Sequence, residues 1–404
     1  MFLDVLIRRN PGFLESLREA QQLGRIPANT VVIDSDAVAS NALLISEEAS
    51  KHRLKVFAMT KQIGRNADIS KVLLKSGISS AVAVDLECGI AAWNAGLSIG
   101  HIGHLVQIPS ADLSHALHLE PDYWTVFSAH HANKLNGLLQ NTSTRQKVLL
   151  RVFQDGDTFY PGHEGGFPLD SLEDCVNELS QYSQLEISGV TSFPTTLFDS
   201  ELQANVPTQN RSTLSEARTR LEALGFEDVQ VNSPGTTSTE NISSLAAAGA
   251  TQAEPGHGLT GTTPMHAVAD LPEIPATAYV TEVSHIWNNM AFVYGGGLYV
   301  DPVLPGGETF ALLADNDKSA VSSWRKRRVL MPDPSSIDYY ARIPLEPGET
   351  VQPGTTVIFG FRVQAFVTRA NTVAFSPNQG RPIGAVQAAN GGLRLLPDRE
   401  ASGL

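Results

Sequence analysis

A lysine stands where an apolar run gives way to a polar turn: Lys55-Val56-Phe57-Ala58-Met59-Thr60-Lys61-Gln62-Ile63-Gly64-Arg65-Asn66. The run is apolar enough for a buried strand, and Lys61 follows it directly. In a barrel of parallel strands the carboxyl end is where catalytic groups collect. Burial there can strip a lysine of its charge and leave an amine able to form a Schiff base with a carbonyl. On these residues alone a solvated strand-end lysine is the simpler reading. Two loops far downstream reverse that preference.

The first, Asn232-Ser233-Pro234-Gly235-Thr236-Thr237-Ser238-Thr239-Glu240-Asn241, clusters hydroxyls around a glycine, and Ser238 or Thr239 can cap the helix that follows. The second, Gln252-Ala253-Glu254-Pro255-Gly256-His257-Gly258-Leu259-Thr260-Gly261, lets backbone N–H groups at Gly256 and Gly258 approach an anion. Each loop taken singly is an ordinary cap and turn. Together, after what count as the seventh and eighth strands, they suit a phosphate held at a helix end. His101, His104, His130, His131, His163 and His257 also fall near strand ends or loops of this face. In Gly100-His101-Ile102-Gly103-His104 the histidines are three apart in a strand-like segment. They would face opposite ways, so barrel contacts are expected rather than a metal pair.

The elements that must position these groups alternate. After an amphipathic lead (residues 1–30) come a short strand, Val31–Asp34, and a helix over Ala37–Lys51. Including the strand before Lys61, about eight short strands follow: Ser80–Val84, Ile102–Gln107, Tyr123–Phe127, Lys147–Phe153, Ile187–Phe193, Asp228–Asn232 and Thr251–Glu254 complete the set. Helices are expected in most intervals. This alternation is that of an α/β protein with a (β/α)8 TIM-type barrel, assigned to 31–268, with an open doubly wound sheet as the alternative. No Gly-x-Gly-x-x-Gly follows the first strand, which weakens a dinucleotide site. From 269 to 385 the sequence reads as a smaller all-β domain, with strands including Ala278–Val283, Ala291–Tyr294, Thr356–Phe359 and Val363–Thr368. A loosely ordered tail, 386–404, ends the chain.

The chain has 404 residues and a formal charge of -13, which argues against nucleic acid or an anionic membrane as partner. The basic run Arg325-Lys326-Arg327-Arg328 is expected to be solvated or at an interface. Two cysteines, Cys88 and Cys175, supply no disulfide framework and fit a reducing, cytoplasmic compartment. No apolar stretch is long enough to span a bilayer, and the lead lacks the features of a signal peptide.

The order of Met59–Asn66, Gly100–Pro109, Ser233–Thr239 and Glu254–Gly261 resembles the alanine-racemase-like fold (fold type III) of pyridoxal 5'-phosphate enzymes, and within it the YhfX-like proteins. The resemblance implies that Lys61 carries the cofactor as an internal aldimine, and that Gly235, Thr236, Thr237, Gly256 and His257 bind its phosphate. Arg65 stands where alanine racemases have a phosphate-binding Tyr and can supply a charged contact instead. Glu254 stands where they place an Arg opposite the pyridine nitrogen. A carboxylate keeps that nitrogen protonated and favours chemistry through a delocalised carbanion. Ser192 or Phe193 takes the place of a ring-stacking His, with Phe193 preferred.

The segment Phe292-Val293-Tyr294-Gly295-Gly296-Gly297-Leu298-Tyr299 resembles one in D-threonine aldolases and D-serine dehydratases. Where those enzymes have a zinc-binding His-x-Cys, this chain has Arg362-Val363-Gln364. Arg carries only donors, so no catalytic metal is expected. Arg362 is either a substrate-carboxylate ligand or a surface strand residue. The implied function is an amino-acid racemase, with Lys61 as one base and Tyr294 or Tyr299, from a second copy in a homodimer, as the other. The alternatives are a D-amino-acid lyase or dehydratase, or a non-catalytic pyridoxal-phosphate carrier, which the β domain disfavours.

Overall fold

Strands such as Ser80–Ala83 and Tyr123–Val126 are buried along almost their whole length, as a sheet covered on both faces requires. The computed structural model describes residues 2–140, 142–299, 308–315, 319–333 and 335–389. In it eight parallel strands form a ring: Lys55–Met59, Ser80–Ala83, Ser98–Ile102, Tyr123–Val126, Gln146–Phe153, Leu185–Thr191, Gln230–Asn232 and Gln252–Ala253. Gln252 pairs with Lys55 and closes it. Helices alternate with the strands on the outside. The helix Ser35–Lys51 packs between Ala67–Lys75 and Thr239–Ala247 and covers the seam between the eighth strand and the first. Inside the ring Phe57 is buried with Met59, Val82, Tyr123 and Leu149. Gly100 makes room for it, since a Cβ there would lie 2.2 Å from the Phe57 ring. Truncating such a buried aromatic costs about 3–5 kcal/mol.

The third strand ends at Ile102, where the expected Ile102–Gln107 was to begin. Gly103 has φ +82° and turns the chain out of the sheet, a conformation open to glycine at little cost.

A second sheet contains Thr277–Trp287, Met290–Tyr294, Thr309–Ala314, Arg325–Val329, Tyr340–Pro344, Thr356–Phe359 and Asn371–Ser376. Thr30–Asp34, expected to open the barrel domain, belongs to this sheet instead. It pairs antiparallel with Thr277–Val280 and parallel with Asn371–Phe375. Its Val32 joins the core formed by the N-terminal helices Phe2–Arg9 and Pro11–Gln22, through Leu3, Leu6, Phe13 and Leu17, against Ala278, Ile358 and Phe375. The basic run is the strand Arg325–Val329. Arg325 pairs with Asp315 and Glu349, Arg327 with Glu349, and Arg328 with Glu308. Val363–Thr368 is not a strand: Ala365–Val367 forms a tight turn against the one at Lys61–Ile63. Of the tail, Gln387–Ala388 pairs with Asn371–Thr372, and 390–404 lie outside the described residues.

Candidate active site

The turn that carries Lys61 is built to sit between the two domains. Met59 closes the first barrel strand and donates its N–H to Pro255 O at 2.9 Å. Lys61–Ile63 is a single tight turn, ended by Gly64 at φ +63° with its N–H on Lys61 O. A Cβ on Gly64 would lie 2.6 Å from Thr372 Cγ2, so glycine is required for the turn to dock on the second sheet. Lys61 lines a cavity of about 390 Å³ at the carboxyl ends of the barrel strands. Burial holds its amine below the usual lysine range, and the positive charge of Arg362 adds to this.

Glu254 stands at the end of the eighth strand, 2% exposed, and lines the same cavity. Its Oε1 accepts from His101 Nδ1 at 2.7 Å and from Asn232 Nδ2 at 2.8 Å. A carboxylate only accepts, so His101 carries its proton on Nδ1. His101 Nε2 lies 2.6 Å from Thr125 Oγ1. Glu254 Oε2 lies 3.0 Å from His104 Nε2, but out of line for a hydrogen bond, and it has no aligned donor among the described residues. Burial alone would raise the Glu254 carboxyl. The close His104 imidazole and the hydrogen bond from His101 outweigh it and hold the group well below the carboxylate range. Burial pushes His104 down to about 4. The histidines therefore do not face opposite ways: the turn at Gly103 stacks their rings, 5.2 Å apart, and brings both to Glu254.

The loops after the first, sixth, seventh and eighth strands meet too closely for side chains. A Cβ on Gly235 would lie 2.8 Å from Thr196 O, one on Gly256 2.5 Å from Gln62 Nε2, and one on Gly258 2.3 Å from Thr237 O. Gly235, Thr236, Thr237, Gly256 and His257 all line the cavity, beside the start of the helix Thr239–Ala247. Thr237 Oγ1 is buried with no hydrogen-bond partner among the described residues. His257 Nε2 lies 3.1 Å from Gln364 Nε2 and its Nδ1 3.1 Å from Thr262 Oγ1. Burial, with Arg362 and Lys61 nearby, keeps this imidazole well below its ordinary pKa and neutral. Its Nε2 then accepts from the Gln364 amide, and Nδ1 donates to Thr262.

Phe193 projects into the cavity, with His104, Tyr160 and His163 rings 5.7, 5.5 and 5.8 Å away. Ser192 turns from it to accept from Asn210 Nδ2. Arg362, Gln364 and Tyr299 line the cavity. Tyr294 does not: its ring packs 5.7 Å from Tyr340 and is 39% exposed. Arg65 departs from the expected phosphate contact. At φ +57° its guanidinium reaches Asp85 at 2.8 Å and Cys88 at 3.0 Å, outside the cavity lining. Burial raises the Cys88 thiol to about 12 and leaves it protonated. Sequence reasoning missed the roles of His101 and His104 around Glu254 and of Tyr160 and His163 at the mouth. The run of glycines around His163 was the available signal for the latter pair.

A closed parallel barrel whose mouth joins a strand-end lysine, a buried carboxylate and closely packed glycine loops is the architecture of the alanine racemase class of pyridoxal-phosphate proteins. Residues 33–264 match the alanine racemase N-terminal domain and 278–382 the YhfX-like C-terminal domain. The chain belongs to this family. A chain of Escherichia coli K12 described as uncharacterized protein YhfX is 36% identical over 383 residues, 95% of this chain and 96% of the other. Solved structures share the fold at low identity. D-threonine aldolase from Filomicrobium marinum aligns at a TM-score of 0.65 and 13% identity, over 90% of this chain and 95% of its own. Alanine racemase from Bacillus anthracis gives 0.63 and 18%, over 90% and 98%. D-threo-3-hydroxyaspartate dehydratase from Delftia sp. HT23 gives 0.63 and 15%, over 90% and 97%.

Pyridoxal 5'-phosphate is the cofactor of this family, and the residues present fit it. Lys61, Glu254 and Thr237 line one cavity, and Glu254 Oε2 and Thr237 Oγ1 are buried there without a hydrogen-bond partner among the described residues, a set of groups that suits an aldehyde, a pyridine nitrogen and a phosphate. Among the described residues, no helix is long and apolar enough to cross a membrane.

Proposed function

We propose that this protein is a pyridoxal-phosphate-dependent amino-acid racemase. The observation that carries the reading is Glu254: a buried, ionised carboxylate at the cavity that Lys61 also lines, with one oxygen that has no hydrogen-bond partner among the described residues. Bound pyridoxal phosphate supplies an electron sink for the pair left on a substrate Cα when its proton departs. Glu254 would hold a proton at the pyridine nitrogen, and His101 and Asn232 fix the carboxylate in place to do so. Gly235, Thr236, Thr237 and Gly256 would hold the phosphate, and Phe193, which lines the same cavity, would pack beside the cofactor. Arg362 holds the substrate carboxylate. Lys61, with its charge lowered by burial, takes or returns the Cα proton on one face.

The other face needs a second proton carrier. The family resemblance offers Tyr299, which borders this cavity, and Tyr294, exposed on the second domain where another copy of the chain can receive it. The family resemblance also leads us to expect a two-fold dimer. A lyase or dehydratase would share the proton removal. Arg362 and Gln364, in place of a metal-binding pair, favour racemisation over it. The test is α-proton exchange in deuterated water across D- and L-amino acids. Exchange from both enantiomers with interconversion is expected, whereas release of ammonia or an aldehyde from a D-amino acid without interconversion would replace this reading with a lyase.

A further inference from the structure

The loop after the fifth barrel strand holds an imidazole at the cavity that neither the cofactor cradle nor the substrate clamp uses. In a closed ring of eight strands the fifth is four strands from the first in either direction, so the loop that follows Gln146–Phe153 rises across the mouth from Lys61. His163 on that loop lines the cavity, its ring 5.8 Å from Phe193 and 6.1 Å from Tyr160. Its Nδ1 is buried with no hydrogen-bond partner among the described residues.

The position is built rather than incidental. Arg151, 1% exposed, points inward from the fifth strand and donates Nη2 to His163 O at 2.7 Å, Nε to Gly165 O at 3.2 Å and Nη1 to His104 O at 3.1 Å. Its guanidinium lies 4.8 Å over the Phe127 ring. Gly162, Gly165 and Gly166 take φ of +84°, +110° and +131° on either side of the histidine, and a Cβ on Gly166 would lie 2.4 Å from Arg151 O. A buried cation and a backbone path that suits glycine thus hold one side chain over the cavity. The charged groups that act on it are Arg151, Lys61 and Glu164. Burial, then Arg151 and Lys61, lower the imidazole, and Glu164 opposes them.

We propose that His163 is the catalytic acid–base for the substrate face opposite Lys61, supplied by this chain's own loop rather than by a tyrosine of a second copy. The assignment rests on the racemase reading. The step is a proton transfer only. The Cα–H bond breaks on the His163 side and the proton goes to the His163 imidazole; the ammonium of Lys61 returns a proton to the other side; the reverse turnover or water resets both. A neutral imidazole suits this near pH 7 better than a phenol whose ordinary pKa is about 10.

Two measurements test it on the full-length protein loaded with pyridoxal phosphate. In protein labelled with carbon-13 histidine, the ring signal that disappears in His163→Gln should titrate below the ordinary value of about 6.5 and shift when an exchanging amino acid is added. An ordinary titration, or no response to amino acid, overturns the assignment whatever the reaction is. In deuterated water, His163→Gln should slow α-proton exchange from one enantiomer about a hundredfold or more and leave the other within about threefold. Equal loss from both enantiomers, no loss, or the one-sided loss appearing instead in Tyr294→Phe or Tyr299→Phe overturns it. Retained cofactor absorbance shows that the variant folds. A wild-type protein that exchanges no α-proton from any amino acid fails the racemase reading itself and removes this role with it.

Discussion

Glu254→Gln isolates the charge of one buried carboxylate. Glutamine keeps an acceptor oxygen where Oε1 receives His101 Nδ1 and Asn232 Nδ2. Its amide nitrogen falls where Oε2 was, 3.0 Å from a His104 imidazole that burial keeps neutral and able to accept. Two charge-assisted hydrogen bonds become neutral ones. Bonds to charged groups contribute about 1.5–3 kcal/mol and neutral ones about 0.5–1.5, so the fold should lose only about 1–3 kcal/mol. Cofactor should stay bound, because Lys61 and the glycine cradle are untouched. An amide cannot hold a proton at the pyridine nitrogen as a carboxylate does. Loss of Cα proton exchange should therefore reach about a hundredfold or more, equivalent to about 2.7 kcal/mol of barrier. Exchange is followed by NMR in deuterated water, with cofactor occupancy measured by absorbance on the same sample. A variant with full cofactor and an unchanged exchange rate would refute the reasoning.

The other predictions are more compact. Borohydride reduction followed by peptide mapping should find the cofactor on Lys61, and Lys61→Ala should abolish the covalent link; label on another lysine would sink the assignment. Chelators should leave activity intact, because the resemblance puts Arg362 and Gln364 where a metal-binding pair would be; a stoichiometric zinc lost together with activity would contradict this. His104 is held at about 4 against an ordinary 6.5, so between those values the unfolded chain binds a proton that the folded one does not. Stability should fall as pH drops through that window, by roughly 3 kcal/mol. His104→Asn should flatten this part of the urea-midpoint profile, and an unaltered profile would count against the assignment. Gly258→Ala drives a Cβ to 2.3 Å from Thr237 O. It should weaken cofactor affinity about tenfold or more, roughly 1.4 kcal/mol, by equilibrium dialysis; an unchanged affinity would show that the loop relaxes freely.

The barrel was legible because its strands are short, apolar and spaced by helical periodicity; Leu86–Asn94 and Ala129–Leu139 fill two of the intervals in which helices are expected. Lys61, Glu254 and the two glycine loops were legible because each sits where a strand stops. What local pattern could not supply was long-range pairing. Thr30–Asp34 reads as one more barrel strand, but its partners are at Thr277–Val280 and Asn371–Phe375. Arg65 looked available for a phosphate until Asp85, a helix cap twenty residues on in the numbering, proved to hold it. His101 and His104 looked opposed because a strand period was applied across Gly103, whose positive φ ends the strand.

The placement of Thr30–Asp34 between Thr277–Trp287 and Asn371–Ser376 makes the barrel an insertion within the other domain's chain. During synthesis the barrel has all its strands once Ala253 has emerged, while Thr30–Asp34 must wait for both of its neighbours. The entropy of closing so long a loop grows only slowly with its length, so the delay bears on the order of assembly more than on final stability. Severing the chain near residue 35 would leave the barrel's own ring of strands whole and take from the second sheet the strand that joins its two halves. Lys61 would then keep its strand but lose the docked surface against which Gly64 sets its turn.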